Sequence, residues 1–368
     1  MTTPPEHVRG GAPSSESRVP LLVVDGLTTW FRTPRGVVHA LDDVSFTLAA
    51  GETIGIVGES GSGKSVLART IMNLNPSHAH THGSVEYLGR DLLHLDRREA
   101  RSIWGDEISM VFQDPATALN PVMRIGKQIT ETLQLHHGLD SKAARQRAIE
   151  LLGQVGISEP LKRLSKYPHE LSGGMLQRVA IATAIACGPK LLFADEPTTA
   201  LDVTIQRQIL DLLSSLQHQN DMGTVLITHD FGVVARRAHR IMVLYAGRVV
   251  ETAPTTGLFS AMRHPYTASL LASIPRLEHK NHTRLPIIPG QPVDVIDPKP
   301  GCRFAPRCKY AQERCLDEDP PMTAAADPGH GYACFFPVGT AEGDEGLRRN
   351  RAAKKTAAGL ELTGEALI

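Results

Sequence analysis

"GESGSGKS", residues 58–65, decides how this 368-residue chain is read. The stretch matches G-x-x-x-x-G-K-[ST]. It follows the short apolar run "ETIGIVG" and precedes the helix-like "KSVLARTIM". Strand, Gly-rich loop, then helix is the context a phosphate-binding loop requires. Backbone N–H groups from Gly58 through Ser60, Gly61, Ser62 and Gly63 can wrap a β-phosphate, and the helix start behind them adds positive potential. Lys64 is placed to reach the β- and γ-phosphates, and Ser65 to offer its hydroxyl to Mg²⁺. A chance Gly-rich turn lacks this flanking pattern.

Working outward, "KLLFADEP" (residues 190–197) is an apolar strand that ends in acid. Asp195 can hold Mg²⁺ through water. Glu196, one residue on, can polarise an attacking water. An isolated Asp-Glu pair is a solvated turn; behind a phosphate loop it is a second half of the same site. "LSGGMLQR" (residues 171–178) opens another helix with Ser172, Gly173 and Gly174, again a start suited to an anion. One chain then carries two phosphate-type loops. A two-fold pair, each copy capping the nucleotide of the other, would use both. The bland alternative is an ordinary Ser/Gly helix cap.

Around these motifs strands alternate with helices, which predicts a mostly parallel sheet covered on both faces. "LLVVDGLTTWF" and "VVHALDDVSFTLAAG", joined by "RTPRG", read as two strands and a turn. From about 115 to 170 the pattern turns helical, and "SKAARQRAIELLGQVG" offers Ser141 as a cap. Lys+Arg and Asp+Glu are both 39, so no net field favours nucleic acid or an anionic surface. The first residues lack a secretory apolar core, and no window has 18 consecutive apolar residues. The expected setting is the cytosol, where structural disulfides are rare.

The ordered set "GESGSGKS", "VFQD", "LSGGM", "LLFADEP", "TALD" and "LITHD" resembles the ATP-binding subunits of ABC transporters. The resemblance implies an α/β P-loop NTPase fold of ABC type: a mostly parallel sheet core, an antiparallel β subdomain and a helical insert. It implies that Gln113 contacts Mg²⁺ and the lytic water, that Glu196 is the catalytic base, that His229 meets the γ-phosphate, and that Asp202 communicates across the dimer. Taken singly, Gln113 is a loop amide and His229 a strand-end histidine. An adenine base needs a stacking platform, and the resemblance points to Phe31 at the end of the first strand. The competing reading of Phe31 is plain core packing.

Further stretches, "YPHELSGGM", "HPYTASLLASIPRL" and "GCRFAPRC", are similar to the oligopeptide/dipeptide importer ATPases, a branch that also contains nickel importers. The resemblance runs from about Leu22 to Phe336, with departures at Leu176, Arg303 and Lys309. It implies two membrane permeases, a second homologous ATPase subunit in a heterodimer or homodimer, an extracytoplasmic peptide-binding protein, and a peripheral place on the cytoplasmic face of the membrane. A soluble ABC-type ATPase or an exporter are the competing classes. The expected organisation is a disordered leader (1–19), an ATPase domain (20–254), a small irregular C-terminal domain (255–338) and a mobile tail (339–368).

That C-terminal part holds Cys302, Cys308, Cys315 and Cys334 at spacing C-x5-C-x6-C-x18-C, while Cys187 sits apart as a small apolar residue at a helix end. Packed free thiols and a structural Zn²⁺ are both open, although zinc sites typically use tighter C-x₂₋₄-C pairs. Four thiolates at wider spacing also suit an iron–sulfur cluster, and the resemblance implies [4Fe–4S] in some relatives.

Overall fold

A computed structural model describes residues 20–199, 201–274, 287–296 and 298–362. The expected leader lies outside them. The two β-rich runs form β1 (Leu22–Thr33) and β2 (Gly36–Leu48), antiparallel, with Thr33 opposite Gly36 at the turn. Next come β3 (Thr53–Val57) and α1 (Lys64–Ile71). β4 (Ala79–Tyr87) and β5 (Arg90–Asp91) complete an antiparallel sheet of order β2-β1-β4-β5. α2 (Arg97–Ile103) leads into β6 (Ile108–Val111).

The helical insert holds α3 (Pro115–Ala118), α4 (Ile125–His137), α5 (Ser141–Gln154) and α6 (Pro160–Arg163). The cap of α5 is Asp140 and not Ser141: its carboxylate accepts from the N–H groups of Lys142 and Ala143. An ionised acceptor at the helix start outdoes the hydroxyl one residue later.

The second half alternates as expected. α7 (Gly173–Ala184), β7 (Leu191–Asp195), α8 (Val203–Asn220), β8 (Gly223–Thr228), α9 (Phe231–Arg237) and β9 (Arg240–Tyr245) follow in turn. β10 (Arg248–Pro254) turns back on β9, and α10 (Thr255–Ala261) and α11 (Pro265–Ala272) close this stretch. The C-terminal region adds α12 (Arg314–Asp317), β11 (Thr323–Ala324), β12 (Gly331–Tyr332) and α13 (Ala341–Ala353).

The main sheet runs β11-β12-β10-β9-β3-β8-β7-β6, and its five strands from β9 to β6 are parallel. Side chains alternate between its faces, as a two-residue period demands. Ile54, Ile56, Phe193, Val225 and Ile227 join the core under the antiparallel sheet. Val57, Leu192, Ala194 and Leu226 join the core under the helices. β3, β6, β7 and β8 are buried throughout, which is why they read as unbroken apolar runs. No helix among the described residues is long and apolar enough to cross a membrane.

The C-terminal region is less separate than its sequence suggests. β12 pairs with β10, and Phe304, Cys308 and Cys315 share the helix-side core with β9 and α11. Glu251 ties the two parts together. Fully buried, its carboxylate accepts from the backbone N–H of Arg263 (2.6 Å) and His264 (3.0 Å), and His330 Nε2 lies 2.8 Å away. Glu251→Ala strands all three groups, and breaking a buried network of this kind costs about 3–5 kcal/mol. A urea midpoint unchanged from the parent chain would contradict this.

Of the expected mobile tail (339–368), the part up to 362 is described and holds α13, while 363–368 lie outside the described residues. α13 packs its buried Asn350 on the cysteine region, donating to the carbonyls of Lys309 (2.9 Å) and Ala311 (3.0 Å) and accepting from Gln312 Nε2 (2.9 Å). Gly343 permits the approach, since a Cβ there would sit 2.0 Å from the Pro337 carbonyl oxygen.

Candidate functional site

The register of the parallel strands builds the site. Val57 pairs with Thr228, Asp195 with Ile227, and Val111 with Ala194. Four strand ends therefore finish along one edge of the sheet, where ligands of open α/β sheets bind. The segments leaving that edge are the loop at Gly58, the Phe112-Gln113 pair, Glu196 and His229.

The loop Gly58–Ser65 joins β3 to α1. Gly63 caps α1 at φ 105, a backbone state that suits glycine, and a Cβ there would meet the Ala40 carbonyl oxygen at 2.5 Å. Lys64 is 5% exposed, and its ammonium donates to the carbonyls of Gly58 (2.8 Å) and Glu59 (2.9 Å). Burial pulls its pKa down, and the carboxylates of Glu196, Asp195 and Glu59 oppose that. Ser65 Oγ donates to Asp195 Oδ1 at 3.0 Å. Burial pushes the Asp195 carboxyl up, and the Ser65 hydrogen bond counteracts it. Ser62 Oγ is buried without a hydrogen-bond partner, so the loop holds a hydroxyl that an anion could satisfy.

Glu196 sits in the left-handed region at φ 44, a conformation that costs a non-glycine residue about 1–3 kcal/mol. The surroundings fix it there. Its backbone N–H donates to Ile227 (2.9 Å). Gln113 Nε2 (3.1 Å) and Thr199 Oγ1 (2.8 Å) donate to its Oε2, and His229 Nδ1 lies 3.3 Å from Oε1. Gln113, Glu196 and His229 thus converge on one carboxylate. Thr199 lies inside a quoted motif, yet its part in this cluster was not legible in the spacing.

Ser172, Gly173 and Gly174 lie elsewhere. Ser172 caps α7, accepting from Met175 N–H at 3.4 Å, and Asp202 caps α8, accepting from Ile205 N–H at 2.9 Å. These four residues line one open cavity of about 560 Å³, whose walls include no residue of the Gly58 loop. Phe31 is half-buried on β1 with its ring edge-on to His78, centroids 6.0 Å apart, while Trp30 stacks on His80 at 5.4 Å.

All five cysteines are free thiols. Cys302, Cys308, Cys315 and Cys334 line one narrow pocket of about 10 Å³ together with Phe304, Tyr310 and Phe336. Burial raises every one of these thiol pKa values, Cys302 to about 11, so the unligated thiols are neutral at neutral pH. Thiolates on a single tetrahedral zinc lie roughly 3.8 Å apart, from Zn–S bonds of about 2.3 Å. No three of the four sulfurs lie within 4.8 Å of one another; among the described residues that closeness is reached only by Asp106, His137 and Cys187. Cys187 is half-buried, and burial pushes its thiol up to about 11.

Sequence patterning missed a further set of contacts. Arg307 pairs with Glu59 of the phosphate loop, and the Tyr266 hydroxyl accepts from the Glu59 backbone N–H. Both residues lie inside quoted stretches, yet no local signal shows these contacts, because Glu59 lies 207 and 248 positions away from them.

Compared with known proteins, the chain matches the ABC transporter family over residues 41–199 and the oligopeptide/dipeptide transporter C-terminal region over residues 250–315. It is 48% identical to the dipeptide transport ATP-binding protein DppD of Escherichia coli, covering 86% of this chain and 97% of that one. It is 50% identical to the oligopeptide transport ATP-binding protein OppD of Bacillus subtilis, covering 83% and 86%. Among solved structures it is similar to a dimeric ATP-binding cassette in a post-hydrolysis state with ADP and phosphate. That likeness has a TM-score of 0.58 and 31% identity, over 64% of this chain and 98% of that one.

Proposed function

Because the chain belongs to the ABC transporter ATP-binding family, in its oligopeptide/dipeptide branch, we propose that it hydrolyses ATP to energise uptake of di- and oligopeptides through a membrane importer. The observation that carries the chemistry is the convergence of Gln113, Thr199 and His229 on the Glu196 carboxylate, at the sheet edge that also bears the phosphate loop. Nickel or another small solute is the alternative cargo, since specificity for cargo lies in other subunits.

In this reading the loop amides and Lys64 hold the β- and γ-phosphates, and Phe31 supports the adenine. Ser65, Asp195 and Gln113 form an all-oxygen donor set, which fits Mg²⁺; that ion neutralises phosphate charge when bound. Glu196 takes the proton of the attacking water. Gln113, Thr199 and His229 aim its carboxylate. The placement of Ser172–Gly174 and Asp202 in a cavity of their own supports their use in trans, on the nucleotide of a second, homologous ATPase subunit. A head-to-tail pair closed by two ATP molecules, in a heterodimer or a homodimer, then drives two permeases from the cytoplasmic face of the membrane. A peptide-binding protein delivers cargo on the other side.

For the four thiols on one apolar pocket the reading we propose is a [4Fe–4S] cluster, which takes four cysteine ligands; the pocket of about 10 Å³ would have to widen to admit it, and a structural zinc is the alternative. Cys302, Cys308, Cys315 and Cys334 would hold the cluster, and it would cross-link a segment poor in regular structure.

One preparation tests both readings. The chain, expressed with its permeases, is purified from membranes without oxygen. Peptide transport into vesicles that needs ATP, and about four irons per chain lost on Cys308→Ser, are the expected results. A chain that hydrolyses ATP but never co-purifies with a membrane permease and drives no uptake would sink the transport reading. One zinc per chain, or no metal, would sink the cluster.

A further inference from the structure

The back of the phosphate loop is gripped from the C-terminal region. Glu59, the second residue of the loop, uses every polar group it has. Its carboxylate takes a two-pronged contact from Arg307: Nη1 to Oε2 at 2.6 Å and Nη2 to Oε1 at 3.0 Å. Its backbone N–H donates to the Tyr266 hydroxyl at 2.8 Å. Its carbonyl accepts from Lys64 Nζ at 2.9 Å.

The grip is itself fixed. The Arg307 side chain is 4% exposed, and its Nε donates to the Pro289 carbonyl at 2.9 Å. The guanidinium also lies over the Tyr245 ring, 5.9 Å from its centroid. Tyr266 is fully buried, with its ring 4.6 Å from Tyr245 and 5.3 Å from Phe304. A bidentate Arg–carboxylate pair constrains direction as well as distance, and a buried one leaves little freedom. Glu59 is therefore held at both its carboxylate and its backbone N–H, and its carbonyl in turn holds the Lys64 ammonium.

We infer that Arg307 and Tyr266 are positioning residues for nucleotide binding: they clamp Glu59 and so fix the direction of Lys64 and the loop amides, which lets the C-terminal region set ATP affinity. The inference rests on the ATPase reading above but asks a separate question of it. A tie that merely stabilises the fold would lower thermal stability and leave the affinity of the folded chain alone.

The experiment uses the full chain, a fluorescent ATP analogue for Kd, and thermal melting in parallel, all below the melting temperature of each variant. Arg307→Met raises Kd about tenfold, in keeping with the loss of a charge-assisted pair. Arg307→Lys, which keeps the charge and loses the fork, falls between it and the parent chain. Glu59→Gln acts like Arg307→Met, and the double variant is no weaker than either single one, because both remove the same interaction. Tyr266→Phe keeps the ring packing and removes only the hydroxyl; it remains informative if Arg307→Met fails to fold, and raises Kd about threefold, a fraction of the value of one hydrogen bond. In ATPase assays the larger part of the change falls on KM rather than kcat. Kd values within twofold of the parent in folded Arg307→Met and Tyr266→Phe overturn the inference, whatever happens to Tm. A parent chain that binds no ATP would instead overturn the ATPase reading.

Discussion

Glu196→Gln will leave ATP binding intact and lower kcat by about 10²–10⁴-fold, the usual contribution of a general base. The substitution keeps shape. An amide can still meet Gln113, Thr199 and His229, which now surround the carboxylate at 2.8–3.3 Å, but it cannot take a proton from water. Kd for ATP therefore stays near the parent value while turnover stops. A variant that hydrolyses ATP at the parent rate would remove Glu196 from the role of base and leave the cluster as a structural knot at a strained turn. A variant that loses ATP binding as well would place Glu196 in the nucleotide cradle.

Lys64→Ala has the opposite signature. Lys64 is the buried cation of the loop, and the carboxylates of Asp195, Glu196 and Glu59 are the charges that act on it. Without it the phosphates of ATP meet those acids with no neighbouring ammonium. Affinity is expected to fall about 100-fold, near 2.7 kcal/mol, within the range for a charge-assisted contact to phosphate. Turnover falls by about 10³-fold, as when one transition-state donor is removed. Isothermal titration with ATP separates the two variants: Glu196→Gln binds near the parent affinity and Lys64→Ala about 100-fold more weakly. Full-strength binding by Lys64→Ala would mean that the loop amides alone hold the phosphates.

Much of this site could be read from the chain because its parts are local. A phosphate loop declares itself by spacing within eight residues, and Asp195-Glu196 by closing an apolar run. The helix start at Ser172 was legible for the same reason, and α7 begins one residue after it. What escaped depends on partners far apart in sequence. Glu59 and Arg307 are separated by 248 positions, and Glu251 and His330 by 79. Nothing near Arg307 distinguishes it from any arginine beside a cysteine. β4 escaped for another reason: its first half, beginning at Ala79, is exposed and rich in His and Thr, so no alternation of apolar residues announces it. The docking of α13 was not legible because charged residues recur along the helix, and only the few residues that touch the cysteine region, Asn350 foremost, carry the contact.

The two-residue strand β12 has a consequence beyond geometry. β10 is the last long strand on its side of the main sheet, and an uncovered strand presents a row of unpaired N–H and C=O groups that any other extended chain can join. β12 occupies that row at Glu251 and Thr252, with the Ala333 N–H donating to the Val250 carbonyl just beside them, and β11 closes the margin with two residues more. Edge strands this short make poor templates. The C-terminal region thereby protects the ATPase sheet against self-association, and a chain cut after β10 would keep every residue of the proposed nucleotide site from Phe31 to His229 while becoming prone to aggregate.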